Sequence, residues 1–128
     1  MIDTYLREYE SVFNPPKIRQ KLLLLDKKTE SQVHEYMPSQ DVVGGMAGFF
    51  ATLGDPTRLK IISALAISGM CVGDLSIVLN INQTTLSHQL SNLRRSGIVE
   101  SYRQGKVVFY SIKNSVIQDI LLWGLEFV

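Results

Sequence analysis

Apolar residues fall along this chain in short helical stripes separated by strong breakers. Ile2, Tyr5, Leu6, Tyr9, Val12 and Phe13 recur at helical spacing until Pro15 and Pro16 stop the pattern, which predicts an amphipathic helix that needs a surface to dock on. Ile18, Leu22 and Leu25 extend the spacing into a second short helix, and Lys27 to Met37 is polar and reads as a linker or weak helix ending at Pro38. From Gln40 to Leu53, Val42, Val43, Met46, Ala47, Phe49, Phe50 and Leu53 cover more than one helical face, so this helix is expected to be buried on more than one side.

The segment LGDPTRLKIISAL follows, Leu53 to Leu65. Asp55 suits an N-cap, Pro56 sits at the first helical position where its missing N–H costs nothing, and Leu59, Ile62 and Leu65 form the stripe. Gly69 marks the exit. Leu75, Val78 and Leu79 predict a two-turn helix ending near Asn80. Asn82 can cap the next helix, in which Leu86, Leu90 and Leu93 fall within ~60° of one another at 100° per residue. Thr84, His88, Ser91 and Arg95 lie opposite, on a face with no acidic residue. Gly97 ends the helix. IVESYR and KVVFYSI then read as two strands around a tight turn at Gln104-Gly105, with Arg103 and Lys106 flanking its tip. Asn114 caps a last helix bearing Val116, Ile117, Ile120, Leu121, Leu122, Trp123, Leu125, Phe127 and Val128, apolar nearly all round. Helix, helix, short helix, polar-faced helix, hairpin, helix is the order of a winged helix-turn-helix, mainly α with a small β-hairpin.

Charge sharpens this picture. The chain of 128 residues has a formal net charge of +1, but the balance is uneven. Residues 82 to 113 carry Arg94, Arg95, Arg103, Lys106 and Lys113 against Glu100 alone, which is +4, while the remainder is neutral or mildly acidic. Such a concentration suits a polyanion-facing surface. The longest wholly apolar run, Leu22 to Leu25, is far short of the ~18 to 20 residues of a membrane span. The opening MIDTYLREYE has acidic residues where a signal peptide carries a basic region, so a cytoplasmic protein with no membrane partner is expected. Cys71 is the single cysteine, which excludes an intrachain disulfide and an all-thiolate metal site within one subunit.

The motifs D-P-T-R-L, C-V-G-D-L and S-H-Q-L-x-x-L, with the basic hairpin after them, resemble the ArsR/SmtB family of bacterial metalloregulatory and related repressors over roughly Val42 to Phe127. The resemblance implies a homodimeric transcriptional repressor that binds double-stranded DNA and is released by an effector. It implies that Gln83, Thr84, Ser87, His88 and Ser91 meet the major groove, the glutamine suited to adenine and the threonine to thymine. Arg94 and Arg95 at the far end suit phosphates, and Arg103, Gln104 and Lys106 at the wing tip suit the backbone or the adjacent minor groove. It places the dimer interface on the helices Gln40 to Leu53 and Asn114 to Phe127, through Val43, Met46, Phe50, Ile117, Ile120, Leu121 and Trp123. Isologous pairing there would hold two reading helices ~34 Å apart and demand a palindromic operator.

The sensor departs from the family. Where metal-sensing relatives use C-V-C-D with further N-terminal cysteines, this chain has Cys71-Val72-Gly73-Asp74 and no other cysteine. Where others use D-x-H early in the last helix and H-x-x-E or H-x-x-H near its end, it has Asn114, Val116 and Phe127. Both ligand sets are broken, so no metal cofactor is expected and the effector is left open. Cys71, Asp74 and His34, shared between subunits, are the candidate metal ligands that remain. Cys71 as a sensor thiol and Cys71 as a small buried residue stand beside them.

Residues 1–38 are thus expected to form a helical extension and linker, giving added dimer contact, and 39–128 the winged helix-turn-helix DNA-binding and dimerisation domain. Enzymatic function is set aside: Ser87 and His88 are neighbours on a helix and do not face each other, and Gly44-Gly45 and Gly48 lack the strand and spacing of a phosphate-binding loop. A winged-helix protein-interaction module is the alternative from another class.

Overall fold

The structure is a computed structural model and describes residues 21–128. Up to Thr52 and from Leu53 onward the chain forms two compact units. The helix expected over Ile2 to Phe13 lies outside the described residues, as does Ile18.

In the first unit, residues 21–26 are not helical, which corrects the short helix expected through Leu22 and Leu25. Leu23 and Leu24 are 93% and 94% exposed there, so the apolar run has no helical face to bury. Helix α1, Lys27–Tyr36, occupies the polar stretch that reads as a linker or weak helix, and it is helical. Its start is fixed by Asp26, whose Oδ1 accepts the Thr29 N–H at 2.7 Å. That amide, together with the Thr29 hydroxyl, holds the Asp26 carboxyl below the usual carboxylate range. Helix α2, Gln40–Leu53, begins where the sequence placed it, with the Val42 N–H donating to Ser39 Oγ at 3.4 Å. Val42, Met46 and Phe50, at i, i+4 and i+8, are exposed, so one stripe of this helix is not buried by the described residues.

The second unit holds the core. Helix α3, Pro56–Ile67, starts at Asp55, whose Oδ2 accepts the Arg58 N–H at 3.0 Å. Its buried side chains are Ile61, Ile62, Ala64 and Leu65, whereas Leu59, expected in the stripe, is exposed. The short strand β1, Met70–Cys71, leads into α4, Val72–Leu79. Helix α5, Gln83–Arg95, follows after three residues. Strands β2, Val99–Gln104, and β3, Val107–Ile112, make the hairpin, and α6, Val116–Leu125, closes the chain. The sheet order is β1-β3-β2, antiparallel throughout, with Met70 opposite Tyr110 and Cys71 opposite Phe109.

Leu75, Leu86, Leu90, Leu93, Ile98 and Val99 join the α3 residues in one buried cluster, with Tyr110 and Ile117 at its edge. Helix α3 is the central strut, in contact with α4, β3 and α6. Full burial of each leucine of the α5 stripe contributes ~1.5–3 kcal/mol, which fixes the face that α5 turns inward and therefore the face it turns out.

The local signals explain the joints. Asn80 caps α4 in the left-handed region, φ 53 and ψ 48, which asparagine tolerates better than most side chains. The Ile81 N–H donates to Ser76 O at 3.1 Å, and the Ser76 hydroxyl donates back to Ile81 O. Asn82 Oδ1 then accepts from Thr84 N–H at 2.8 Å and Thr85 N–H at 3.5 Å, starting α5. At its other end Gly97 takes φ +78 and the Ile98 N–H reaches back to Leu93 O at 3.1 Å, a glycine-based helix stop. The hairpin loop is Gly105-Lys106, one residue later than expected, because Gln104 pairs with Val107 and the positive φ falls on Gly105. Asn114 Oδ1 accepts the Val116 N–H at 3.0 Å at the start of α6.

Candidate nucleic-acid interface

The buried leucines of α5 leave Thr84, Ser87, His88, Ser91 and Arg95 on the outer side of the helix, with Gln83 and Arg94 flanking them. All are exposed, and so are Arg103, Gln104 and Lys106 on the hairpin. The first turn of α5 holds no acidic residue and its last turn holds Arg94 and Arg95. The helix therefore offers a partly positive N-terminus, a band of uncharged hydrogen-bonding groups and a cationic far end.

Both arginines are held by neutral partners. Arg94 Nη1 donates to Ser101 Oγ on β2 at 3.1 Å, and Arg95 Nη2 donates to Asn92 Oδ1 at 2.6 Å. Neither bond cancels charge, so both guanidiniums stay available to an anion while their reach is restricted. On the hairpin, Tyr102 stacks on Phe109 across the strands, ring centroids 5.2 Å apart and planes 9° apart, which stiffens the wing just below its basic tip. Ser101, Asn92 and the Tyr102–Phe109 pair were not singled out from the sequence. Ser101's place in the first strand of the hairpin and the i, i+3 spacing of Asn92 and Arg95 are the signals that pointed to the two arginine partners.

The other candidates are placed as follows. On α2, Val43 is half-buried while Met46 and Phe50 are exposed, the latter in edge contact with Phe49. On α6, Ile120 and Leu121 are half-buried and Trp123 is 64% exposed. Ile117, expected at the dimer interface, is 5% exposed and belongs to the core of its own unit, because the first turn of α6 packs it inward. Cys71 is half-buried as the N-cap residue of α4, with no side-chain cap bond, and Asp74 is exposed in the first turn of that helix. His34 sits on α1, its Nε2 3.9 Å from Glu30 Oε1. Among the described residues no three His, Cys, Asp or Glu side chains come together in a group that could hold a metal ion.

Two helices joined by a three-residue turn, the second presenting a polar and basic face beside a basic hairpin, define a winged helix-turn-helix DNA-binding protein. Comparison with known proteins gives the same class. Residues 55–101 match the family model of the arsR family of bacterial regulatory proteins. The chain is 39% identical over 83 residues to the cadmium resistance transcriptional regulatory protein CadC of Listeria innocua, spanning 64% of this chain and 70% of that one. It is 34% identical over 83 residues to the transcriptional repressor SdpR of Bacillus subtilis, spanning 65% and 92%. Among solved structures, NolR of Sinorhizobium fredii superposes with a TM-score of 0.61 at 25% identity, over 83% of this chain and 96% of that one. The chain belongs to the arsR family of bacterial regulatory proteins and is a DNA-binding transcriptional regulator, not an enzyme.

Proposed function

We propose that this regulator is a homodimeric repressor of a palindromic operator, with α5 of each subunit in the major groove and the Gly105-Lys106 hairpin on the flanking backbone. The observation that carries it is the outer face of α5: Gln83, Thr84, Ser87, His88 and Ser91 are exposed together, free of carboxylates and bounded by Arg94 and Arg95. Gln83 suits adenine and Thr84 a thymine methyl; Arg103, Gln104 and Lys106 suit phosphates or the minor groove. Residues 39–128 carry DNA binding and dimerisation in this reading, and residues 1–38 add to the dimer contact. Exposed apolar side chains on α2 (Val42, Met46, Phe50) and α6 (Leu122, Trp123, Leu125) support pairing through these helices, with Val43, Ile120 and Leu121 at its margin.

The protein acts in the cytoplasm, where its DNA is; no described helix is long and apolar enough to cross a membrane. An effector releases it from DNA. CadC is named for cadmium resistance, but here the cysteine pair is reduced to Cys71, so the effector is sought outside the two thiolate-rich and histidine-rich ligand sets.

Selection from a random-sequence duplex library tests the reading. Enrichment of a palindrome with half-sites about one turn apart, bound by a dimer in sedimentation, is the expected result; enrichment of nothing, with a protein partner recovered instead, refutes it. Trp123→Asp should convert the dimer to monomer at micromolar concentration, and an intact dimer would remove α6 from the interface. Challenging the complex with zinc, cadmium, arsenite and oxidants, in the native protein and in Cys71→Ser, identifies the releasing class and whether the thiol takes part.

A further inference from the structure

We infer that Arg58, outside the DNA face, is a positioning residue that sets the orientation of the reading helix and thereby the discrimination between operator and other DNA. The inference rests on the reading of α5 as the DNA-contacting helix. Arg58 Nε donates to Gln89 Oε1 at 3.1 Å, joining the first turn of α3 to the middle of α5, and both residues are half-buried.

Each end of this bond is fixed differently. Arg58 stands on an anchored base: its own N–H is bound by Asp55, and Ile61, Ile62 and Leu65 of the same helix lie in the core. Gln89 sits beside Leu90, about 60° around the helix from Leu86, on the flank that also carries Thr85 and Asn92. Apolar burial of Leu86, Leu90 and Leu93 holds α5 against the core, but such packing is non-directional and permits small rotations about the helix axis. A hydrogen bond with a preferred angle does not. Rotation of α5 sweeps Thr84, His88 and Ser91 across the base edges while leaving the long, flexible arginines able to follow the phosphates. Loss of the Arg58–Gln89 bond should therefore cost base readout more than general affinity.

The test uses the full chain with Arg58→Met, Arg58→Lys, Gln89→Met and the Arg58→Met/Gln89→Met double variant. The probes are the duplex enriched by the native protein from a random library and a scrambled duplex of equal composition. Arg58→Met should lower the affinity ratio of the two duplexes by roughly tenfold, the scale of one base contact, with scrambled-duplex affinity and the salt slope nearly unchanged. Gln89→Met should match it, the double variant should be no worse than either single one, and Arg58→Lys, which keeps a donor, should restore most of the ratio. In the free protein, residual dipolar couplings of α5 relative to α3 should change in Arg58→Met and return in Arg58→Lys.

An unchanged ratio with unchanged couplings overturns the inference and leaves the DNA reading intact. Equal losses on both duplexes with a salt slope shallower by about one unit per lost phosphate contact overturn it in favour of direct phosphate binding. Equal losses accompanied by a fall in Tm overturn it in favour of general destabilisation. If the native protein enriches no duplex, the DNA reading fails, and the couplings of α5 still decide whether Arg58 positions that helix.

Discussion

Replacement of Lys106 by glutamine tests how this protein meets the DNA backbone. Lys106 is exposed in the two-residue hairpin loop, and Arg94, Arg95 and Arg103 are the other exposed cations of α5 and the wing. The arginine bonds identified on α5 are to Ser101 and Asn92, both neutral, and no contact of Lys106, Arg94, Arg95 or Arg103 with a carboxylate is found among the described residues. Their charge is thus available for phosphates. Four such contacts per subunit make eight per dimer, and at ~0.9 per phosphate the logarithm of affinity should fall against the logarithm of salt with a slope of about −7. A rise from ~50 to ~200 mM salt should then weaken binding on the order of 10⁴-fold. Lys106→Gln removes two contacts from the dimer and should bring the slope to between about −5 and −5.5. The loss should be the same on operator and scrambled duplexes, because a phosphate contact carries no sequence information. Fluorescence anisotropy over a potassium chloride series gives both slopes. A native slope shallower than about −3, or one that Lys106→Gln leaves in place, would refute the assignment of the wing to the backbone.

Three further outcomes follow from the local geometry. Leu90→Ala, at a side chain with no exposed surface, should cost ~2–5 kcal/mol and lower the urea midpoint at constant m-value; a loss below ~1 kcal/mol would mean that the α5 stripe is not core. Asn80→Val forces a β-branched residue into the left-handed region and should cost ~1–2 kcal/mol, whereas Asn80→Gly should stay near the native stability; denaturation curves of the two variants check the difference. The depressed Asp26 carboxyl supports the start of α1 above the ordinary carboxylate range, and that support is lost as pH falls through its lowered value. Protection of the α1 amides, relative to their intrinsic exchange at each pH, should therefore fall only in acid, and the acid step should be absent in Asp26→Asn; a step near neutral pH would assign it to another group.

Legibility in the sequence followed how each element is stabilised. The α5 stripe, the Asn82 cap, the Asp55-Pro56 start and the Gly97 stop were readable because each is a local rule in which one residue type meets one backbone need, whereas the N-cap position of α6 falls on Ser115, one residue after the expected Asn114. For helix α1 the sequence left a linker and a weak helix both open, because its apolar residues are few, and the helix is started by a cap and has no buried residue. Leu22 and Leu25 misled in the opposite direction, since spacing alone does not make a helix when no face is buried. Strand β1 spans two residues, too short to show alternation, and exists only because β3 is there to pair with it. All ten residues nominated for DNA contact are exposed, seven because a helix with a leucine stripe has only one other side, and Arg103, Gln104 and Lys106 because they lie at the tip of a hairpin. The Arg58–Gln89 bond was not legible: it spans 31 positions, and neither residue breaks a local rule.

The distribution of apolar surface separates folding from assembly. Every buried apolar side chain among the described residues lies between Leu53 and Ile117, so the fully buried core of the winged unit ends in the first turn of α6. Ile117 is the residue that ends this core, and its burial is what anchors α6 to α3. Past that point, Leu122, Trp123, Leu125 and Phe127 are exposed, and α2 carries an exposed stripe of its own. Side chains of this size left in water contribute nothing to the stability of a lone chain and raise its tendency to associate. These exposed side chains belong to α2 and the outer part of α6, and none of them is a residue of the polar face of α5 or of the basic wing. Pairing through residues other than those of α5 and the wing would leave both reading helices to the DNA, as a symmetric repressor requires.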